Sequence, residues 1–212
     1  MMFHSVTLAA LIAHCAPNVA PATMAAIVNV ESGGNSLAIG DNTAGRSYYP
    51  RDRATAEALA RRLLQAGHSI DVGIAQIDSM NFPGFGVTVH SIFDPCINLS
   101  IGATILADDY SFAARRYRDA QVALRHAIGM YNTGRVDAGA RYVSHVLAAA
   151  GIQDGHASGP RIVTQREAMR DPLLVHVVIA QRRSSITGRS AISPSRAPIL
   201  VTVARTPRVK IL

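Results

Sequence analysis

The 212 residues contain three glutamates, Glu31, Glu57 and Glu167, and the neighbours of Glu31 set it apart. Ile27, Val28 and Val30 precede it and Ser32, Gly33 and Gly34 follow it, so the acid closes an apolar helix where the chain opens into a loop. Partial burial disfavours the charged form of a carboxyl and raises its pKa. An acid in that setting, still reachable from solvent, is suited to giving a proton to a leaving oxygen. The alternative is a solvated acid at a helix end, and the stretch from Val28 to Gly40 leaves both readings open. Ser32 beside it does not read as a nucleophile, because nothing near it in the chain resembles a Ser-His-acid set. The eight histidines are scattered and never form a metal-ligand pair at helical spacing, so no metal is expected. No glycine loop has a phosphate-binding pattern, and no cofactor is expected.

The elements that must position Glu31 follow from hydrophobic spacing. Residues 1–20 read as a short apolar helix and a turn broken by Pro17 and Pro21. Residues 22–31 read as a mostly buried helix with Ala25, Ala26, Ile27, Val28 and Val30 inward, ended by Gly33-Gly34. Residues 35–52 have loop or short-hairpin chemistry. Ala56, Leu59, Ala60, Leu63 and Leu64 repeat at three and four, which predicts an amphipathic helix that Gly67 can cap. Gly73 to Asp78 reads as a short turn or helix, with Asp71 as the N-cap of a helix beginning near Val72. Asp94-Pro95 signals an N-cap and first helical residue. The helix it opens is expected to run to about Tyr117 and to bury Ile97, Ile101 and Ile105. Two more are expected, from about Ala120 to Met130 with Leu124, Ala127 and Ile128 inward, and from Gly139 to Ala150 with Val143, Val146 and Leu147 inward. No strand pattern of comparable strength precedes residue 152, so the fold class is mainly α.

Composition supports one domain with an extension. Hydrophobic residues make up 49% of the chain, aromatics 5%, and there is no Trp, so the core must be built from aliphatic residues and alanine. The net charge of +7 is confined to one end. Residues 1–151 carry 11 Arg and 11 acids, whereas residues 152–212 carry 10 Arg or Lys against Asp154, Glu167 and Asp171. The division is a domain over 1–151 and a basic, Ser- and Pro-rich tail over 152–212 that reads as largely disordered. No run reaches the roughly 18–20 apolar residues needed to span a bilayer, so no transmembrane segment is expected. Val6 to Ala13 is apolar but short and follows no Lys or Arg, so a standard signal peptide is not evident. Another start or another export route is expected. Cys15 and Cys96 are too few for a disulfide scaffold; the pair forms one bridge in an oxidising compartment or remains as two buried thiols.

Three motifs in order, each separated from the next by a helix, carry a resemblance. Glu31-Ser32-Gly33-Gly34-Asn35, Ser69-Ile70-Asp71-Val72-Gly73-Ile74-Ala75-Gln76-Ile77-Asp78 and Tyr131-Asn132-Thr133-Gly134 together resemble the soluble lytic transglycosylase family. The Asp-x-Gly-x-x-Gln-Ile form of the second motif is similar to the branch that serves type IV secretion and related envelope-crossing machines. The match covers about residues 10–150 and leaves out the tail. It implies a lysozyme-like domain of the goose type, acting on peptidoglycan glycan strands in the periplasm of a Gram-negative cell. Glu31 would be the single catalytic acid and base, and the product would carry a 1,6-anhydro-N-acetylmuramic acid end. Gln76 would hydrogen-bond the sugar or tie its loop to the core. Tyr131 would place its hydroxyl near Glu31 or the reacting N-acetyl group. Asn132 would support the turn or touch sugar, and Ser32 would orient Glu31 or donate to the substrate. Cys15 and Cys96 would pin the helices on either side, in keeping with a periplasmic enzyme. The tail would meet components of a secretion machine or the acidic envelope, with no nucleic acid partner. A hydrolytic muramidase using Asp41, Asp71 or Asp78 to place a water, and a non-catalytic wall-binding assembly factor, are the alternatives.

Overall fold

The computed structural model describes residues 5–152. The tail assigned to 152–212 lies outside the described residues beyond Ile152. Seven α-helices and one small sheet make up the described chain: α1 (Ser5–Cys15), α2 (Pro21–Ser32), β1 (Ile39–Asp41), β2 (Arg46–Tyr48), α3 (Arg53–Gln65), β3 (Ile70–Val72), β4 (Ile77–Asp78), α4 (Phe82–Phe85), α5 (Pro95–Ala114), α6 (Ala120–Thr133) and α7 (Ala140–Ala149).

Helix boundaries follow local chemistry. Pro21 occupies the first turn of α2, where its missing N–H would have had no partner. Gly33 ends that helix at φ 61°, a left-handed conformation that glycine adopts without a side-chain clash. Asp52, Asp94 and Asp119 cap α3, α5 and α6. Their carboxylates accept from Thr55 N at 2.8 Å, from Cys96 N and Ile97 N at 2.9 and 3.0 Å, and from Gln121 N and Val122 N at 2.8 and 2.9 Å. Each such cap is worth about 1 kcal/mol.

Helix α5 is the axis of the domain. Leu99, Ala103, Leu106 and Ala113 are fully buried along it, and Ile101, Ile105 and Tyr110 nearly so. The chain turns back over residues 115–119, and α6 lays Ala123, Leu124, Ala127 and Ile128 into the same core. Small alanines on that face let the two helices approach closely in a core without Trp. Helix α5 ends at Ala114, short of the expected Tyr117. Ile97 is 38% exposed and not buried, because the first turn of α5 carries it to the outer face. In α2 the fully inward set is Thr23, Met24, Ala26, Ile27 and Val28, while Ala25 and Val30 pack only partly against the core.

The β1–β2 hairpin falls within the 35–52 stretch expected as loop or short hairpin, and the largest departure from expectation is its extension by β3 and β4 into a sheet. Its order is β2-β1-β3-β4, antiparallel throughout, with Gly40 opposite both Ser47 and Asp71 and with Val72 opposite Ile77. Strands of two or three residues cannot display the alternation that marks a strand in sequence. Asp71 therefore caps no helix: it lies within β3, and its Oδ2 accepts from Asn42 Nδ2 at 3.1 Å. Cys15 at the end of α1 and Cys96 in the first turn of α5 form a disulfide, with Cα atoms 5.1 Å apart and a sequence separation of 81.

Candidate active site

The turn between β3 and β4, residues 73–76, is where the three sequence motifs meet. Gly73 has φ 84°, and a Cβ there would collide with the side chain of Asn98, so glycine is required on both counts. Gln76 has φ 48°, the only positive φ at a non-glycine residue among those described. Such a backbone is held only when its surroundings over-determine it. The surroundings are on all sides. Ser32 Oγ donates to Ile74 O at 2.7 Å and accepts from Gly34 N at 3.1 Å, tying the end of α2 to the turn. Tyr131, buried in the last turn of α6, donates its hydroxyl to Ala75 O at 2.7 Å. Gln76 Nε2 donates to Gly73 O at 2.7 Å and to Ala38 O at 3.1 Å, binding the turn to itself and to the chain entering β1. Gly102 on α5 leaves room for the Tyr131 hydroxyl, which a Cβ there would meet at 2.9 Å.

Asn98, fully buried on α5, completes the arrangement. Its Oδ1 accepts from Ala75 N at 2.7 Å, and its Nδ2 donates to Val72 O at 2.9 Å and Ile92 O at 3.0 Å. Sequence reasoning missed this residue; the available signal was a lone amide within the otherwise apolar face of α5.

Glu31 is the penultimate residue of α2 and is half-buried. Its Oε1 accepts a short hydrogen bond, 2.5 Å, from the hydroxyl of Tyr142 on α7. Tyr142 is the second residue that sequence reasoning missed, and its partner lies 111 positions away in the chain. Its trace in the sequence is a polar-tipped aromatic at the head of the apolar stripe formed with Val143, Val146 and Leu147. Burial foremost, then the charge on Glu31 and the proximity of Tyr131, push the Tyr142 hydroxyl far above its ordinary pKa. It therefore stays protonated and remains a donor to the Glu31 carboxyl.

The predicted residues gather around the end of α2 and the 73–76 turn, with Tyr142 near both Glu31 and Tyr131. Glu31 meets Tyr142. Ser32, Gln76 and Tyr131 converge on the backbone of the 73–76 turn, where Gln76 Nε2 and the Tyr131 hydroxyl are each donated to main-chain carbonyls. Asn132 lies exposed beside Tyr131 in the last turn of α6, ahead of the left-handed cap at Gly134.

Helices built around a central axis, with a short antiparallel sheet beside an acid at a helix end, define a mainly α, lysozyme-like domain. The chain belongs to the transglycosylase SLT domain family, whose model matches residues 9–145. It is 43% identical over 120 residues to Protein virB1 of Agrobacterium fabrum, a match covering 57% of this chain and 49% of that one. It is 40% identical over 146 residues to Type IV secretion system protein virB1 of Brucella suis biovar 1, covering 65% and 61%. The chain thus spans about half to three-fifths of the length of the curated relatives it matches. No solved structure matches it.

Proposed function

We propose that the protein is a peptidoglycan lytic transglycosylase that opens the wall locally for a type IV or related secretion apparatus. The observation that carries the reading is the pairing of Glu31 with Tyr142 at the end of α2. A hydroxyl donated to Oε1 fixes the direction in which the carboxyl faces.

In the proposed reaction Glu31 gives its proton to the oxygen linking N-acetylmuramic acid C1 to N-acetylglucosamine C4. The C1–O bond breaks as positive charge develops at C1. The muramic acid C6 hydroxyl oxygen then bonds to C1, and its proton returns to Glu31. No water is consumed, and the product end is 1,6-anhydro-N-acetylmuramic acid. The substrate's own N-acetyl group assists, so one protein carboxyl suffices. Ser32, Gln76 and Tyr131 keep the 73–76 turn rigid beside the reacting bond, the Gln76 amide facing the acetamido group of the sugar, with Asn132 at the rim.

Two of the three acids that a water-using muramidase would need are otherwise engaged. Asp41 is 2% exposed and bound by His68 and two backbone amides, and Asp78 is buried and caps Met80 N at 2.8 Å. Asp71 accepts from Asn42. Mass analysis of muropeptides released from purified sacculi tests the proposal. Anhydro ends, one water lighter than reducing ends, are expected; reducing ends would replace it with hydrolysis, and no release at all would leave a wall-binding factor. The secretion context draws support from the named relatives, and the place of action would be the periplasm. Partner contacts through the 152–212 tail belong to the same proposal. Loss of complementation by a chain lacking the tail, with sacculus cleavage intact, is the expected sign.

A further inference from the structure

The domain is electrically lopsided. Residues 1–109 carry five arginines and nine acids, whereas residues 110–151 carry six arginines and two acids. Part of that excess collects where α5 turns into α6, at Arg115, Arg116 and Arg118, all exposed. Two large apolar side chains stand exposed at the same end of the hairpin, Phe112 at 45% in the last turns of α5 and Val122 at 40% in the first turn of α6. The Arg115 guanidinium lies 5.3 Å from the centre of the Phe112 ring.

The acids nearby leave much of this charge outstanding. Asp119 is committed to capping α6, and Asp137 accepts from the Tyr117 hydroxyl at 2.7 Å and reaches Arg116 only at 3.8 Å. Asp108 lies one helical turn before Phe112. The patch is well separated from the candidate active site. Gly102 touches Tyr131, and ten residues of helix place Phe112 about 15 Å further along the α5 axis.

We infer that the α5–α6 end is a contact for an anionic membrane surface. Phe112 and Val122 enter the headgroup boundary, while Arg115, Arg116 and Arg118 meet lipid phosphates. An aromatic and an aliphatic side chain exposed beside guanidinium groups have the chemistry of an interfacial anchor. A nucleic acid would engage the arginines but leave Val122 facing water. An acidic protein segment is the competing occupant.

The chain contains no Trp, so Phe112→Trp in the full-length protein supplies a fluorophore that reports on this patch alone and not on the basic tail. Phosphatidylglycerol vesicles are expected to move its emission to shorter wavelength, and acyl-brominated lipid to quench it. Phosphatidylcholine vesicles should do neither. Each arginine near an anionic surface contributes about 1 kcal/mol. Combining Arg115→Glu, Arg116→Glu and Arg118→Glu, which adds repulsion to the lost attraction, should therefore raise the lipid needed for half the shift at least about 100-fold. Helical circular dichroism of that variant checks its fold. Independently of any charge variant, about 1 M salt should abolish the shift in the Phe112→Trp protein. Vesicles that sediment the protein without changing the emission would overturn the inference by assigning binding to the tail. An equal shift on neutral and anionic vesicles would overturn it too. So would a shift produced by polyglutamate and not by vesicles, which would assign the patch to an acidic protein.

Discussion

Glu31 and Glu57 both lie on helices and are both partly buried, yet their surroundings prepare them for opposite tasks. Glu57, on α3, is 13% exposed and gripped by cations. Arg53 Nε lies 3.0 Å from one carboxyl oxygen, Arg61 Nη2 lies 2.7 Å from the other, and His90 Nδ1 lies 2.8 Å from the first. These contacts, Arg53 first, hold its pKa down from 4.5 to about 2. Asp41 is a second such acid. Burial pushes its pKa up, but the Ala44 amide and His68 outweigh burial and hold it low. Glu31 accepts instead from a tyrosine hydroxyl that cannot ionise near neutral pH. An acid locked in its charged form by guanidinium groups is useful as a tie and useless as a proton donor. Glu31 ends α2 and Glu57 lies inside α3, but it is the chemistry of the partner that sets their tasks apart.

The contrast is broken most directly at Glu31. Glu31→Gln preserves shape and can still accept from Tyr142, so its melting temperature should stay close to that of the parent. Its rate of sacculus cleavage should fall about 10³-fold, in the range expected for loss of a general acid. Retention of activity in that variant, read by clearing of purified sacculi, would show that the proton donor lies elsewhere.

A large effect of the opposite kind is expected at the disulfide. Joining Cys15 to Cys96 constrains a long loop of the unfolded chain, so replacing both by alanine should lower stability by about 3 kcal/mol. Cleavage per folded molecule, measured below both melting transitions, should not change. A fall in activity at full folding would mean that the α1–α5 junction shapes the active site, and the separation of chemistry from support would fail.

How far the site was readable depends on the reach of each contact. The helices announced themselves through apolar spacing, with Asp94-Pro95 marking the start of α5, and Glu31 stood out by its flanks. What escaped depended on contacts distant in the chain. The sheet is assembled from strands too short to carry a pattern, so Asp71 looked like a cap. Ile97 fits the apolar spacing of α5 yet faces outward. Asn98 makes its three hydrogen bonds to residues 6 to 26 positions away. Tyr131 carries a motif and its hydroxyl donates to Ala75 O, whereas Tyr142 carries none and donates to Glu31. Tyr142→Phe tests that pairing. Loss of one hydrogen bond to a carboxylate, worth about 1.5–3 kcal/mol, should reduce kcat on purified glycan strands at least about 10-fold. KM should hold, because the contact is to Glu31 and not to the sugar. An unchanged kcat would make Tyr142 a packing residue.

The smallest expected effect lies on the other side of the comparison. The Glu57 pKa is depressed in the folded protein, so its charged form contributes stability above the unfolded value of 4.5, and that contribution fades as pH falls toward about 2. Arg53 and Arg61 are 42% and 46% exposed, and solvent screens partly exposed pairs, so the contribution at neutral pH is about 1 kcal/mol. Glu57→Gln should therefore unfold at slightly lower denaturant than the parent at pH 7. The two curves should converge between about pH 4.5 and 2, and sacculus cleavage at neutral pH should be unaltered. A stability gap that persisted at pH 2 would mean that Glu57 acts through packing and not through its charge. A loss of cleavage would mean that the cation-bound acid also takes part in the reaction, and the division between the two glutamates would have to be redrawn.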